Sequence, residues 1–206
     1  MNPWLSIPLE EYEAHMLLPA VQQAQLLGKI FRHAVRDYSP ASLALLGCAG
    51  GNGLEAIATS QDMRVVAIDI NPDYVEKARS RFSTHFADTS FLTLDIEQAP
   101  LTIEPVDLMF AALIFEYVHA EQALQHIHPA LTQGGVLRVV LQLPVAGKAA
   151  ITPSPYSSLS TLDGFMNLIS PKQLVSWAEQ TGFKLSKQNI RKTKPGKAFM
   201  VLDFVL

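Results

Sequence analysis

Apolar and polar positions along the chain change period several times, and those changes lay out its elements. Residues 20–35 place Ala20, Val21, Ala24, Leu27, Ile30, Phe31, Ala34 and Val35 on one helical stripe, which Tyr38-Ser39-Pro40 ends. Nearly continuous apolar runs then alternate with helical stretches. The pattern predicts a strand over 42–46, a helix from about 52, and a strand over 64–69. A helix follows with Asn71 as its cap and Pro72 at its first position. Strands over 90–95 and 106–111 come next, then a helix over about 119–131 that stops at Gly134-Gly135, and a strand over 136–142. Strands apolar nearly throughout, alternating with helices, predict a parallel sheet covered on both faces.

Residues 143–169 break this rhythm. They carry Pro144, Pro153 and Pro155, a serine-rich centre from Ser154 to Ser160, and few periodic apolar positions. Such an excursion over a sheet is where substrate contacts concentrate. Ser170-Pro171-Lys172-Gln173 then opens a helix in capping-box form, and Gly182 ends it. Two closing strands, about 183–191 and 197–206, are joined at Lys194-Pro195-Gly196, a link so short that they must pair antiparallel.

At 206 residues the chain suits one α/β domain with a substantial core. A formal charge of −3 argues against a nucleic-acid partner, whose phosphates call for a basic face. One cysteine cannot form an internal disulfide, so nothing points to an oxidising compartment. The first residues lack the pattern of a signal peptide and no apolar run is long enough to span a bilayer, so the expected location is cytoplasmic.

The chemistry concentrates where strand 42–46 runs into four glycines, Gly47, Gly50, Gly51 and Gly53. A phosphate-binding P-loop would need a lysine in the turn, and none occurs between Lys29 and Lys77. A dinucleotide fingerprint fits Gly51-Asn52-Gly53-Leu54-Glu55-Ala56, with Asp69 further on, but it begins four residues late for a first glycine that directly follows the strand. The third reading takes Gly47-Cys48-Ala49-Gly50-Gly51 as the turn itself.

That turn resembles the first motif of class I S-adenosylmethionine-dependent methyltransferases, and the resemblance continues in order over residues 40–206. Asp69-Ile70-Asn71-Pro72 resembles the family's ribose-binding acid and its continuation. Asp95 resembles the residue that reads the adenine, 106–111 the fourth strand, and Gly134-Gly135 the entry to the fifth. Residues 170–185 resemble the last helix and the entry to the sixth strand, and 9–30 an N-terminal extension of bacterial small-molecule members. The resemblance implies a doubly wound α/β fold with a seven-stranded sheet ordered 3-2-1-4-5-7-6, the last strand antiparallel and helices on both faces. It divides the chain into a helical extension or lid, 1–38, and a cofactor-binding domain, 39–206.

The cofactor implied is S-adenosylmethionine, held by Gly47, Cys48, Ala49, Gly51, Asn52, Asp69, Ile70, Asp95, Ile96 and Ala111. A cationic sulfonium needs no lysine in the turn, and small residues let backbone lie against it. Two departures stand out: Leu45 occupies the place of the usual acid before the first glycine, and Ala49 that of the second glycine. Losing the acid removes one usual partner of the cofactor's ammonium group.

Candidates for the acceptor side are Tyr12 and His15, one helical turn apart, and Tyr117, with Glu116 and His119 beside it after the fourth strand. His126 and His128 diverge on a helix and read as surface, so no metal site is expected. Cys48 reads as a small packing residue, and Met16, Met63, Met109, Met166 and Met200 as core filler. The expected activity is methyl transfer to a small molecule. A nicotinamide-dependent oxidoreductase and a non-catalytic S-adenosylmethionine-binding protein remain alternatives. A nucleic-acid methyltransferase is disfavoured by acidity and by Ala111-Ala112, where amino-methylating DNA enzymes carry Pro-Pro and an aromatic.

Overall fold

A computed structural model describes residues 2–57 and 62–206. Seven strands, β1 Ser42–Leu46, β2 Arg64–Asp69, β3 Asp88–Thr93, β4 Val106–Ala112, β5 Leu131–Leu143, β6 Lys184–Lys192 and β7 Ala198–Val205, form one sheet in the order β3-β2-β1-β4-β5-β7-β6. The first five pair in parallel, and β7 lies antiparallel between β5 and β6. The order and the antiparallel last strand agree with the expectation.

Five helices, α1 Leu9–Leu17, α2 Gln23–Tyr38, α3 Pro72–Phe82, α4 Ala120–Ile127 and α5 Pro171–Gln180, cover the sheet. Strand residues alternate between two cores, as the two-residue strand period requires. Leu43 and Leu45 pack with Ile30 and Phe31 of α2 and Val75 of α3. Ala44 and Leu46 pack with Leu124 of α4 and Leu174 of α5. α2, which falls within the expected N-terminal extension, shares its core with β1.

A buried ion pair anchors that layer. Arg138 of β5 donates to Asp203 of β7 through Nε at 2.6 Å and a terminal nitrogen at 2.7 Å, and the Tyr38 hydroxyl at the end of α2 donates to the same carboxylate at 2.5 Å. The fork-to-fork geometry satisfies charges that burial would otherwise make costly.

Several expectations shift. The stripe over 20–35 begins too early: Gln22 sits at φ 52°, and α2 starts at Gln23. The helix expected from about 52 is a 3-10 turn, Leu54–Ala56, because Gly51 and Gly53 adopt φ 84° and 102°; its continuation at 58–61 lies outside the described residues. The helix over 119–131 ends at Ile127 with a 3-10 turn over His128–Ala130, where Pro129 has no N–H to continue it. β5 then runs through Gly134-Gly135, with a register irregularity against β4 between Val106 and Leu108. Finally, Ser170 stands at the N-cap of α5 but its side chain caps nothing; its carbonyl accepts from the Gln173 and Leu174 N–H groups instead.

Candidate active site

The turn after β1 and the end of β2 are built as one unit. Gly47 and Gly51 take φ 64° and 84°, and Ala49 takes φ 47°, a left-handed conformation that costs a non-glycine residue roughly 1–2 kcal/mol. What holds Ala49 there is Asp69, whose Oδ2 accepts from the Ala49 N–H at 2.8 Å while Oδ1 accepts from the Asn71 N–H at 3.0 Å. Asp69 is buried, and burial pushes its carboxyl up, offset by these backbone donors. Each oxygen keeps a further lone pair for a ligand hydroxyl. Asn71 Oδ1 caps α3 by accepting from the Asp73 N–H at 2.9 Å, as expected.

The glycines are needed for space as well as for φ. A side chain at Gly47 would strike Ile114, and one at Gly51 would strike Phe82. At Gly50 it would strike Leu9 and Glu13 of α1 together with Arg81 of α3. Arg81 grips Glu13 through two bonds, 2.6 and 3.0 Å, and donates to the Gly50 carbonyl at 3.0 Å, so α1 is clamped onto the turn. The methyl group of Ala49 packs with Leu9, Tyr74, Trp4 and Tyr12. That contact gives the departure from glycine a physical use.

A cleft of about 1070 Å³, counting its open mouth, runs along the carboxyl edge of the sheet. It passes Asp95 and Ile96 after β3, Asp69 and Ile70 at β2, Gly47 and Ala49 after β1, and Ala112, Leu113 and Ile114 at β4. It continues to Gln142 of β5 and Lys197 before β7. Leu113 is left-handed at φ 58°, backbone strain of the kind that gathers at functional sites. Four strand steps of roughly 4.8 Å separate Asp69 from Lys197, so the acidic and basic ends stand about 19 Å apart.

Two segments cover the cleft. Trp4, Tyr12, His15 and Met16 come from the N-terminal side, and Ile151, Leu159, Leu162 and Met166 from the excursion after β5. They are knitted to each other: Ile7, Leu159 and Leu162 form a small apolar core with Trp4, Tyr12 and Tyr117, and the Ser158 hydroxyl donates to Glu11 at 2.5 Å. Trp4 meets Tyr12 and Tyr117 edge-on at 5.3 and 5.1 Å. The cover is tied to the floor where Asn71 Nδ2 donates to the Trp4 carbonyl at 2.9 Å and the Tyr74 hydroxyl to the Ile7 carbonyl at 2.8 Å.

The sequence candidates distribute unevenly over this cleft. Gly47, Ala49, Asp69, Ile70, Asp95 and Ile96 line it, as do Tyr12, His15 and Tyr117. Cys48, Gly51, Asn52 and Ala111 are not among its lining residues: Cys48 and Ala111 are buried in the two cores, Gly51 packs beneath the turn and Asn52 is exposed. Burial and the Asp69 charge push the Cys48 thiol up, which removes it as a nucleophile. Asp95 lies two residues beyond the end of β3, its Oδ1 accepting from the Glu97 N–H at 2.9 Å. Met16 and Met166, expected as core filler, are cleft walls.

His15 is buried, its Nδ1 has no hydrogen-bond partner, and burial together with the Lys197 charge lowers its pKa, so it is neutral at pH 7. Burial, with Asp69 adding to it, raises the Tyr12 hydroxyl, and burial, with Glu116 adding to it, raises that of Tyr117; both stay protonated. Glu116 is buried outside the cleft, where Oε1 accepts from the Gln142 N–H at 2.6 Å. His119 is exposed. His126 is half-buried, with Nδ1 2.9 Å from the Ile96 carbonyl oxygen, and His128 packs on Phe183. Leu45, in the place of the usual acid, is buried against α2 rather than facing the cleft.

Gln23, Gln142 and Lys197 were not singled out by motif. The signal that could have found them is topological. With β7 antiparallel, its first residue lies at the same edge as the last residues of the parallel strands, so Lys197 belongs beside Gln142.

Residues 44–135 match the family described as a methyltransferase domain. With the strand order described above, the chain has the class I methyltransferase fold. Over 100 residues the chain is 31% identical to carboxy-S-adenosyl-L-methionine synthase of Psychrobacter arcticus. That match takes in 45% of this chain and 37% of the relative. Among solved structures, the N-methyltransferase NodS of Bradyrhizobium japonicum, in complex with S-adenosyl-L-homocysteine, superposes with TM-score 0.67 at 16% identity, over 91% of this chain and 87% of that one. Magnesium protoporphyrin IX methyltransferase of Synechocystis, with the same ligand bound, gives 0.65 at 14%, over 88% and 82%. The [4+2]-cyclase SpnF gives 0.68 at 13%, over 89% and 82%. At these identities the likeness establishes the fold that the methyltransferase domain shares with them, not a shared reaction. Among the described residues no helix is long and apolar enough to cross a membrane, and no group of three or more His, Cys, Asp or Glu could hold a metal ion.

Proposed function

We propose that this chain is an S-adenosylmethionine-dependent methyltransferase acting on a small molecule. The observation that carries the reading is the covered cleft, which joins the Asp69-braced glycine turn to a separate pocket end at Gln142 and Lys197. The residues present fit the cofactor. Asp69 and Asp95 offer carboxylates to the ribose and adenine portions, and Gly47 in the cleft wall offers bare backbone to the methionyl chain. When bound, the cofactor supplies an electrophilic methyl group for in-line displacement.

The chain's own residues align the acceptor and keep water out. Residues 2–18 and 150–166 act as the lid, and their shared apolar core makes them one cover. Neutral His15 has Nδ1 free to take a proton from a hydroxyl or amine acceptor, while the protonated hydroxyls of Tyr12 and Tyr117 orient it. A cleft covered from two sides in this way supports a small acceptor over a polymer such as a nucleic acid. The dinucleotide alternative loses support because the described residues after the glycines give one 3-10 turn, not the helix N-terminus a pyrophosphate uses.

The test is transfer of a labelled methyl group from S-adenosylmethionine into a metabolite extract divided by molecular size. The expected label is in the small-molecule fraction. Label in the polymer fraction would overturn the acceptor class, and label left wholly on the cofactor would favour a binding protein or a different reaction.

A further inference from the structure

Lys197 is a buried cation with no counter-ion among the described residues. It is 6% exposed, and no carboxylate among the described residues lies within salt-bridge distance of it. Its Nζ donates to the Ala150 carbonyl at 2.6 Å and, at a long 3.4 Å, to Gln142 Oε1. Glu116, the acid on the neighbouring loop, is engaged by the Gln142 N–H instead. A buried ammonium without an anion is costly, and burial together with the Lys148 charge lowers it to about 8. Proteins retain such a group where something else supplies the missing charge.

The surroundings are rich in donors. Gln23 Nε2 donates to Gln142 Oε1 at 3.4 Å, and Gln142 Nε2 donates to the Ala150 carbonyl at 2.9 Å. Two acceptor oxygens therefore serve three donor groups, and an ammonium has three protons for two partners. Gln23, Gln142, Ala150 and Lys197 all line the cleft, with buried His15 and its unpartnered Nδ1 beside them. The apolar Ile151, Leu159, Leu162 and Met166 line the same cleft.

We propose that this end of the cleft binds a carboxylate of the acceptor, which places its anionic oxygens against Lys197 and the Gln23 and Gln142 amides while its apolar body lies along Leu159 and Leu162. The inference rests on the methyltransferase reading and names its substrate class. A single cation and no arginine suit one negative charge better than the two of a phosphate monoester. The ion pair would form on binding, where Lys197 is already desolvated and held, so the carboxylate finds a pre-organised partner.

The experiment is calorimetry on the full chain saturated with S-adenosylhomocysteine, whose own binding is recorded first. Acetate, benzoate and phenylacetate are each titrated against the matching amide, with phenyl phosphate alongside. In the wild type, at least one carboxylate should bind ten-fold or more tightly than its amide, and phenyl phosphate no more tightly than benzoate. Lys197→Met should erase the preference and leave S-adenosylhomocysteine affinity unchanged, while Lys197→Arg should keep most of the preference. No preference for any of the three carboxylates overturns the inference, as does a preference that survives Lys197→Met or tighter binding of phenyl phosphate. The amide comparison uses the wild type alone and stands even if a variant fails to fold. Failure of S-adenosylhomocysteine to bind the wild type would instead sink the methyltransferase reading.

Discussion

The Ala49 N–H donates to Asp69 Oδ2 at 2.8 Å, so the acid at the end of β2 braces the glycine turn after β1 from beneath. The structure gives Asp69 two backbone partners, Ala49 and Asn71, and both would lose a charged acceptor in a buried setting. Asp69→Ala should therefore lower stability by about 1–3 kcal/mol, the cost of stranded buried donors. S-adenosylhomocysteine affinity should fall ten-fold or more. Urea unfolding of the ligand-free protein separates the two effects, and an unchanged midpoint would mean that the brace contributes nothing.

The cover is clamped to the turn through Arg81, which bonds Glu13 twice and the Gly50 carbonyl once. Both side chains are partly shielded from solvent, so the pair is worth more than a surface ion pair. Glu13→Ala should loosen residues 2–18 without unfolding the sheet. Hydrogen exchange in α1 should accelerate while exchange in β1 and β4 stays slow. Equal acceleration in both regions would show that α1 is part of the core rather than a cover.

Burial pushes the Glu116 carboxyl from an ordinary 4.5 up to about 7. The folded chain then holds this proton more tightly than the unfolded chain does. Its contribution is complete below the unfolded value and is lost as pH rises through about 7, on the order of 3 kcal/mol in total. His15 works in the opposite sense, since its lowered pKa makes stability grow as pH rises toward its ordinary value. It is present in both proteins and cancels in their difference. Melting curves of the wild type and Glu116→Gln at pH 5 and pH 8 should show the variant gaining on the wild type at the higher pH. A constant gap between the two would remove Glu116 as a buried, titrating acid.

Arg138 and Asp203 face each other across β5 and β7 with nothing but protein around them. Removing one partner, as in Arg138→Leu, should cost about 3–5 kcal/mol because the other charge is left buried and unpaired. The double replacement Arg138→Leu with Asp203→Leu should recover part of that loss. Chemical denaturation of the four proteins gives the coupling directly, and strict additivity would show that the pair acts as two independent side chains.

The strand order was legible only through the family resemblance, whose motifs came in sequence, while the strands themselves showed as apolar runs of strand length. β1 and β2 end where their apolar runs end, at Leu46 and Asp69. Helix limits were less legible, since composition favours helix at 52–57 and 128–131 while Gly51, Gly53 and Pro129 impose other geometry locally. The turn and its acid were found by motif. The far end of the cleft was not, because Gln23, Gln142 and Lys197 are distant in sequence and only the antiparallel entry of β7 brings them together.

Whether the Asp69-braced cleft binds S-adenosylmethionine is tested most directly by isothermal titration of the wild-type chain with S-adenosylhomocysteine. One site per chain should be filled, and the melting temperature should rise with ligand concentration as mass action requires. NAD titrated under the same conditions should give no heat. Binding of NAD with no binding of S-adenosylhomocysteine would contradict the account.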